Sequence, residues 1–161
     1  ISAYAGQKSV DKDDWPDLDS QASVGVISDF RKHSWSVSIA ADLIFSGDVH
    51  KSGITEDTGG SAEIHLGARK IFTPQNSSFM PYIGGGVALV NASLEHENAG
   101  VIVNDDDRAV GAWAGAGTYY PVTPGFIIGV DVRYSKAEVT VFDKEREAGG
   151  VNAGITAGYH W

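Results

Sequence analysis

The segment that decides the fold is GGVNAGITAGYHW, residues 149–161, in which two kinds of side chain alternate. In a β-strand, successive side chains point to opposite faces, so this segment has one apolar face and one face of small or polar residues. Its last residues are aromatic, which is typical of a strand that crosses a lipid bilayer, because aromatic side chains favour the interface. The apolar face comprises Val151, Ala153, Ile155, Ala157, Tyr159 and Trp161.

The bulk composition restricts the class of protein. A chain of 161 residues suits a single domain, residues 1–161, with room for about eight membrane strands. No apolar run has the length of a membrane helix, and the absence of cysteine excludes disulfides and thiolate metal sites. The net charge of -9 argues against nucleic acid as a partner. No charged-then-apolar leader precedes Ile1, and we expect any signal peptide to have been removed or not to be included in this sequence.

Seven further segments show strand patterning. Their approximate bounds are 2–10, 20–30, 34–45, 60–72, 80–94, 109–120 and 126–135, and the last of these could continue through Val139 and Val141. Alternation is clearest in the third and seventh segments, where Val37, Ile39, Ile128 and Val130 share the apolar parity. The pattern has a period of two and no convincing helical period, so it predicts an all-β fold.

Long and short connections alternate along the chain. The long ones, 11–19, 46–58, 95–107 and 142–148, hold most of the 21 acidic residues, whereas 31–33, 73–79 and 121–124 are short. An antiparallel meander produces this alternation when one end carries turns and the other carries loops, as in outer-membrane barrels. The sequence therefore predicts an eight-stranded antiparallel up-and-down transmembrane β-barrel.

Six charged or titratable strand residues lie on the parity opposite the apolar face. If the apolar face meets lipid, these six point into the lumen, where unpaired charge is costly, and we predict that they form a polar network. The alternative is that some of them lie near strand ends in water. The six are Asp42, Glu63, His65, Arg69, Asp131 and Arg133.

Aromatic residues cluster near the predicted strand ends on the short-turn side. Trp and Tyr favour the membrane interface, so the clustering predicts an interfacial belt, with the core of a soluble sandwich as the alternative. The predicted belt comprises Trp35, Phe72, Phe79, Tyr82, Tyr119, Tyr120, Phe126, Tyr159 and Trp161.

Several motifs in order resemble the eight-stranded outer-membrane barrels related to the OmpA membrane domain, OmpX and the opacity proteins. They are PYIGGGV at 81–87, GAWAGAG at 111–117, DVRY at 131–134 and the segment 153–161. The resemblance implies a bacterial outer-membrane location and makes Tyr159 and Trp161 the signal read by the barrel-assembly machinery, although the family usually ends in Phe. It also implies outer-membrane lipid and lipopolysaccharide as surroundings.

The acidic segments suggest a binding hypothesis. The hypothesis is that these dense carboxylates contact Ca²⁺ or Mg²⁺ loosely and bridge to lipopolysaccharide phosphates or to a surface partner. The alternative is a solvated, repulsive rim that keeps the chain soluble. The candidate residues are Asp11, Asp13, Asp14, Asp17, Asp19, Asp105, Asp106 and Asp107.

No catalytic motif stands out, and we expect neither enzymatic activity nor a cofactor. The sequence favours a structural or surface-interaction role, adhesin- or opacity-like, through acidic extracellular loops. One alternative is a membrane-embedded enzyme that modifies lipid A, for which His33-Ser34 is a weak candidate pair. Another is a soluble barrel that binds a small apolar ligand, in which the apolar parity would face inward.

Overall fold

A computed structural model describes the backbone of residues 1–10, 20–52, 55–98, 101–141 and 144–160. The side chains of 49–57, 94–105 and 139–146 lie outside the described part. Within these ranges the chain forms ten strands, and no helix is long and apolar enough to cross a membrane. The strands are β1 (Ser2–Ser9), β2 (Ser20–Phe30), β3 (Ser38–Ser52), β4 (Thr55–Ile71), β5 (Met80–Asn98), β6 (Val101–Thr123), β7 (Phe126–Lys136), β8 (Glu138–Val141), β9 (Lys144–Glu147) and β10 (Gly150–Tyr159).

Eight of these strands close into a barrel in the order β1-β10-β7-β6-β5-β4-β3-β2. All neighbours are antiparallel, and closure comes from β1, which pairs with β2 on one side and with β10 on the other. A closed barrel satisfies the backbone hydrogen bonds of every strand and leaves no sheet edge in the membrane. The structure confirms the predicted eight-stranded antiparallel fold.

The apolar parity of the strands faces outward. Along β7, Val130 and Val132 are half exposed, whereas the alternate residues Asp131 and Arg133 are each 1% exposed. Ile155 on β10 is 66% exposed, while its neighbour Thr156 is buried. This inverted arrangement fits a lipid solvent and contradicts the soluble-barrel alternative, which required the apolar parity to face inward.

Two of the predicted long loops are paired strands instead. β3 and β4 stay in register as far as Ser52↔Thr55, and β5 and β6 as far as Asn98↔Val101, so most of 46–58 and 95–107 is hairpin. The prediction of loops at 46–58 and 95–107 was wrong because it rested on the density of charged residues. Strands that extend beyond a membrane lose the alternation that lipid imposes. We call residues 48–52, 55–59, 94–98 and 101–105 the four-stranded extension.

The fourth predicted loop is also partly sheet. β7 ends at Lys136 and does not continue through Val139 and Val141, which belong to β8. β8 pairs with β9 in a separate two-stranded sheet, and β9 occupies much of the predicted loop 142–148. The first predicted loop, 11–19, lies outside the described residues.

The short connections join the strands at the other end of the barrel. The first of them runs further than predicted, because β3 begins at Ser38 rather than at residue 34. Trp35 N–H donates to the Lys32 carbonyl at 2.8 Å, and Lys70 Nζ donates to the Ser36 carbonyl at 2.7 Å, which fixes the segment 31–37 as a turn. The turn between β6 and β7 uses Gly125 at φ +105°, a conformation that other residues rarely adopt.

The predicted aromatic belt holds only in part. Most of its described members are exposed at the short-turn end, but Tyr82 is 2% exposed and Tyr119 is 3% exposed. The rings of these two tyrosines stack at 4.7 Å inside the barrel. Both lie on the inward parity of their strands. The sequence did not indicate this parity, because the alternation of β5 is ambiguous and β6 is rich in glycine.

We expect an arginine on the outward face to destabilise the barrel. Val130 lies in the middle of β7, so Val130→Arg should lower the free energy of unfolding by about 2–4 kcal/mol, because it places a charge in hydrocarbon. Reversible urea unfolding of the protein in lipid vesicles measures this loss. The control is Gln75→Arg in an exposed turn; equal stability of the two variants would contradict the lipid-facing assignment.

Candidate functional site: the ion network of the lumen

The structure brings together in the lumen the six residues predicted for the polar network. All of them are buried, with exposures of 0–3%. They come from β3, β4 and β7, and each lies on the inward parity of its strand. Because β3 and β7 lie on opposite sides of the closed barrel, contacts between them must span the lumen.

Asp42 occupies the centre of the network. Its Oδ2 accepts hydrogen bonds from Arg69 Nη2 at 2.6 Å and from Arg133 Nη1 at 2.9 Å. Its Oδ1 accepts the backbone N–H of Ser28 at 3.1 Å. One carboxylate therefore links three other strands and faces two guanidinium groups with almost no solvent exposure, an arrangement in which loss of either partner is costly.

Asp131 holds the second cation of the network. Arg133 Nε donates to its Oδ1 at 2.6 Å, and the hydroxyl of Tyr82 donates to its Oδ2. Charge-assisted hydrogen bonds of this kind are stronger than neutral ones. Arg133 is thereby held from two sides, by Asp131 on its own strand and by Asp42 on the opposite wall.

Glu63 forms the part of the network nearest the loop end, together with Lys8, which the sequence analysis missed. Lys8 Nζ lies 2.7 Å from Glu63 Oε1 and also donates to Ser61 Oγ and the Ala148 carbonyl. Lys8 is 0% exposed. The sequence analysis did not identify this lysine because the alternation of the first strand is weak. Its even-numbered position nevertheless shares the parity of the small inward residue Gly6.

His65 connects the two halves of the network. Its Nε2 lies 2.9 Å from Glu63 Oε2, and its Nδ1 lies 3.3 Å from Arg133 Nη1. An arginine can only donate, so this geometry fits a ring that carries its hydrogen on Nε2 and accepts at Nδ1. Ser135 Oγ donates to the same Glu63 oxygen at 2.8 Å.

Asp29 closes the network toward the short-turn end. Its Oδ1 accepts from Arg69 Nη1 at 2.8 Å, and its Oδ2 accepts from the Tyr119 hydroxyl at 3.1 Å. Strand β2 lies opposite β6 in the barrel, so the tyrosine contact also crosses the lumen. Asp29 lies on the parity opposite Ala22, Val24 and Val26, so the parity test that selected the other six residues applies to it as well, and the sequence analysis missed it.

Trp113 is the aromatic centre around which these charges pack. Its ring stacks on His65 at 5.4 Å, and the guanidinium carbons of Arg69 and Arg133 each lie 5.8 Å from the ring centroid. An indole face attracts cations, so the ring stabilises both of the guanidinium groups that share Asp42. The indole N–H donates to the Leu66 carbonyl at 3.3 Å, which orients the ring.

Inward glycines make room for these large side chains. A Cβ at Gly117 would collide with the hydroxyl end of Tyr82, and a Cβ at Gly84 would lie 3.1 Å from the Trp113 ring. The glycine-rich β5 and β6 therefore reflect space for the network as well as close approach of strands. Gly84 and Gly86 of the GGG motif and Gly115 and Gly117 of the GAG motif face inward on β5 and β6, so both motifs belong to barrel strands and not to a nucleotide-binding loop.

The other sequence candidates do not form a site in the described part of the chain. Asp106 and Asp107 lie on β6, where Asp107 Oδ1 accepts the N–H of Arg108 at 2.7 Å. No group of three or more described His, Asp or Glu side chains could hold a metal ion. His33 and Ser34 are exposed in the turn before β3. The segment with Asp11, Asp13, Asp14, Asp17 and Asp19 lies outside the described residues, as do the Asp105 side chain and Trp161.

We expect Arg133→Leu to lower the free energy of unfolding by about 3–5 kcal/mol, because it leaves two buried carboxylates short of a partner. The matched control is Asn152→Leu on β10, the register partner of Arg133. Asn152 is 0% exposed, and both of its amide atoms lack a hydrogen-bond partner among the described residues. Its replacement should change stability by no more than about 1 kcal/mol. Equal effects in urea unfolding would contradict the network.

The role of Trp113 can be separated from its volume. Trp113→Leu should destabilise the barrel by about 1–2 kcal/mol more than Trp113→Phe, because only Phe retains an aromatic face for the two guanidinium groups. Both variants lose the indole hydrogen bond to Leu66, so that loss cancels in the comparison. Urea unfolding curves of the two variants provide the measurement, and coincident curves would rule out a cation–π contribution.

Comparison of the whole chain with known proteins identifies the group of folds to which the barrel is similar. No family model and no curated protein matches the chain significantly. The crystal structure of Neisserial surface protein A (NspA) superposes with a TM-score of 0.64 at 18% identity, over 99% of this chain and 94% of that one. The N-terminal β-barrel domain of Pseudomonas aeruginosa OprF gives a TM-score of 0.47 at 17% identity, over 98% and 94%. With its closed barrel and its likeness to NspA, the chain has the fold of the small eight-stranded outer-membrane β-barrels, as the sequence resemblance predicted.

Proposed function

We propose that the protein is an integral barrel of the bacterial outer membrane that acts as a rigid scaffold and presents an acidic surface outside the cell. The observation that carries the proposal is the sorting of side chains. The outward face is apolar along the strands, and the charged groups of the same strands are paired in the lumen. A barrel sorted in this way is stable only with lipid around it.

The lumen supports a scaffold role. Ion pairs cross it between β3 and β7, and nearer the loop end Val10, Val90, Ala92 and Trp113 pack in one apolar cluster with Ala137 and Ala148. An eight-stranded barrel has an interior just wide enough for side chains to fill. We therefore infer that the protein works through its ends and not through a permanent pore, and that its role is non-catalytic.

The four-stranded extension supports a role at the loop end. β3 continues past its last pair with β2, at Ala22↔Gly47, and β6 begins well before its first pair with β7, at Ala112↔Lys136. Strands β5 and β6 span 19 and 23 residues, whereas a membrane strand needs about 9–11. The excess length raises hairpins rich in Asp and Glu away from the bilayer, where an acidic surface would attract cationic groups of a partner.

Orientation in the membrane can be tested with epitope insertions. An epitope placed between residues 98 and 101 should be labelled by antibody on intact cells, because it joins β5 to β6 at the proposed outer end. The matched control carries the same epitope between Asn76 and Ser77, in the turn between β4 and β5, and should be labelled only after permeabilisation. Heat-modifiable migration on gels verifies that both variants fold. Reversed labelling, or recovery of the protein without detergent, would contradict the proposal.

Cation contact by the acidic segments remains a prediction of the sequence, to be tested independently. If the carboxylates of 11–19 and 105–107 bind Ca²⁺, the melting temperature should rise in millimolar Ca²⁺ and fall back with EDTA, because a ligand that binds only the folded state stabilises it. Mg²⁺ serves as the comparison ion. An unchanged melting temperature favours the alternative of a solvated, repulsive rim.

A further inference from the structure

A second feature of the lumen lies at the short-turn end, below the ion network. Here the barrel opens into a cavity of about 740 Å³, which we call the cup. Ligand sites in proteins typically measure about 300–1,000 Å³, so the cup has the size of a small-molecule site. The loop end of the lumen, by contrast, is packed with apolar side chains that include Val10, Val90 and Ala148.

The floor of the cup is apolar. Ile27 and Ile127 line it, at 1% and 6% exposure, and Ile71 and Met80 pack against the cluster that holds Ile127. Ile27 lies at the level of Asp42, its register partner, and Asp29 lies two residues nearer the mouth on the same strand, so the apolar floor borders the edge of the ion network. An apolar floor that is open to water favours binding of a hydrocarbon group.

The charge around the cup is positive. Arg31, Lys32 and His33 lie on its rim in the turn before β3, and His160 lies on the opposite side after β10. Among the described residues that line the cup, Asp29 is the one carboxylate, and Arg69 and Tyr119 already occupy its oxygens. In a protein of net charge -9, this mouth would therefore attract anions.

From this geometry we propose that the cup binds a single-chain anionic amphiphile, with its alkyl chain against Ile27 and Ile127 and its carboxylate between Arg31 and Lys32. The apolar floor selects a hydrocarbon chain, and the cationic rim selects a negative head group. A cavity enclosed by the strand ends of one narrow barrel suits one chain better than a two-chain lipid or a protein surface. The site is separate from the acidic loop end and does not depend on its role.

The test uses the full chain, labelled with ¹³C at isoleucine methyl groups, in zwitterionic micelles and titrated with dodecanoate. Saturable shifts are expected at the inward methyls of Ile27 and Ile127. The outward methyls of Ile128 and Ile155 report simple partition into the micelle and should move little and without saturation. Dodecanol and dodecyltrimethylammonium, with the same chain and no negative charge, should bind at least about tenfold more weakly.

A charge-reversal variant tests the rim. Arg31→Glu combined with Lys32→Glu should weaken dodecanoate binding about tenfold, since both residues are exposed and their loss leaves the network intact. The matched control reverses two cations at the loop end, Arg108→Glu with Lys136→Glu, and should leave the affinity unchanged. Absence of saturable shifts at Ile27 and Ile127, equal binding of the three amphiphiles, or equal affinity of the two variants would overturn the proposal.

Discussion

The structure depends on one constraint, namely that three buried cations and four carboxylates must pair with one another inside a barrel whose outside cannot hydrate them. Asp42 meets this constraint at the centre, where it receives both Arg69 and Arg133. Buried ion pairs offset their desolvation only with good geometry and further hydrogen bonds, which Tyr82, Tyr119, Ser135 and the Ser28 amide supply here. The inward glycines and the position of Trp113 follow from the space that these groups require.

The network also relates the two ends of the barrel to each other. Contacts from β7 to β3 and from β6 to β2 cross the whole lumen, so the wall is braced from inside as well as by its backbone ladder. Toward the loop end, Lys8 joins Glu63 to the Ala148 carbonyl and so ties the segment before β10 to the network. Toward the short-turn end, Asp29 and Tyr119 form the boundary between the ionic lumen and the apolar cup. A braced wall with two chemically different ends suits a scaffold that acts at its ends.

Charged residues occur both at inward positions of the barrel strands and in the four-stranded extension, and only their position in the fold distinguishes the two cases. Asp42 and Asp131 were recognised as inward because lipid forces strict alternation on the strands around them. In the four-stranded extension the same kind of acidic residue predicts loops at 46–58 and 95–107, but β3 to β6 continue there as paired strands. The same reasoning explains why Tyr82 and Tyr119 are buried in the lumen although the sequence predicts them in the interfacial belt. An aromatic residue near a strand end can face the membrane interface or the lumen, and only its parity within the barrel decides between them.

The sequence by itself determined the closed eight-stranded barrel, the outward apolar face and six of the charged lumen residues, because a period of two under lipid leaves no other way to bury the charges. It did not determine the pairing of those charges, because partners such as Arg133 and Asp42 are 91 residues apart and meet only across the closed lumen. Lys8, Asp29 and Trp113 share the inward parity of their strands, but their contacts with the other six residues form only when the barrel closes. The cup likewise exists only in the tertiary structure, since its floor and rim come from several strand ends brought to one mouth.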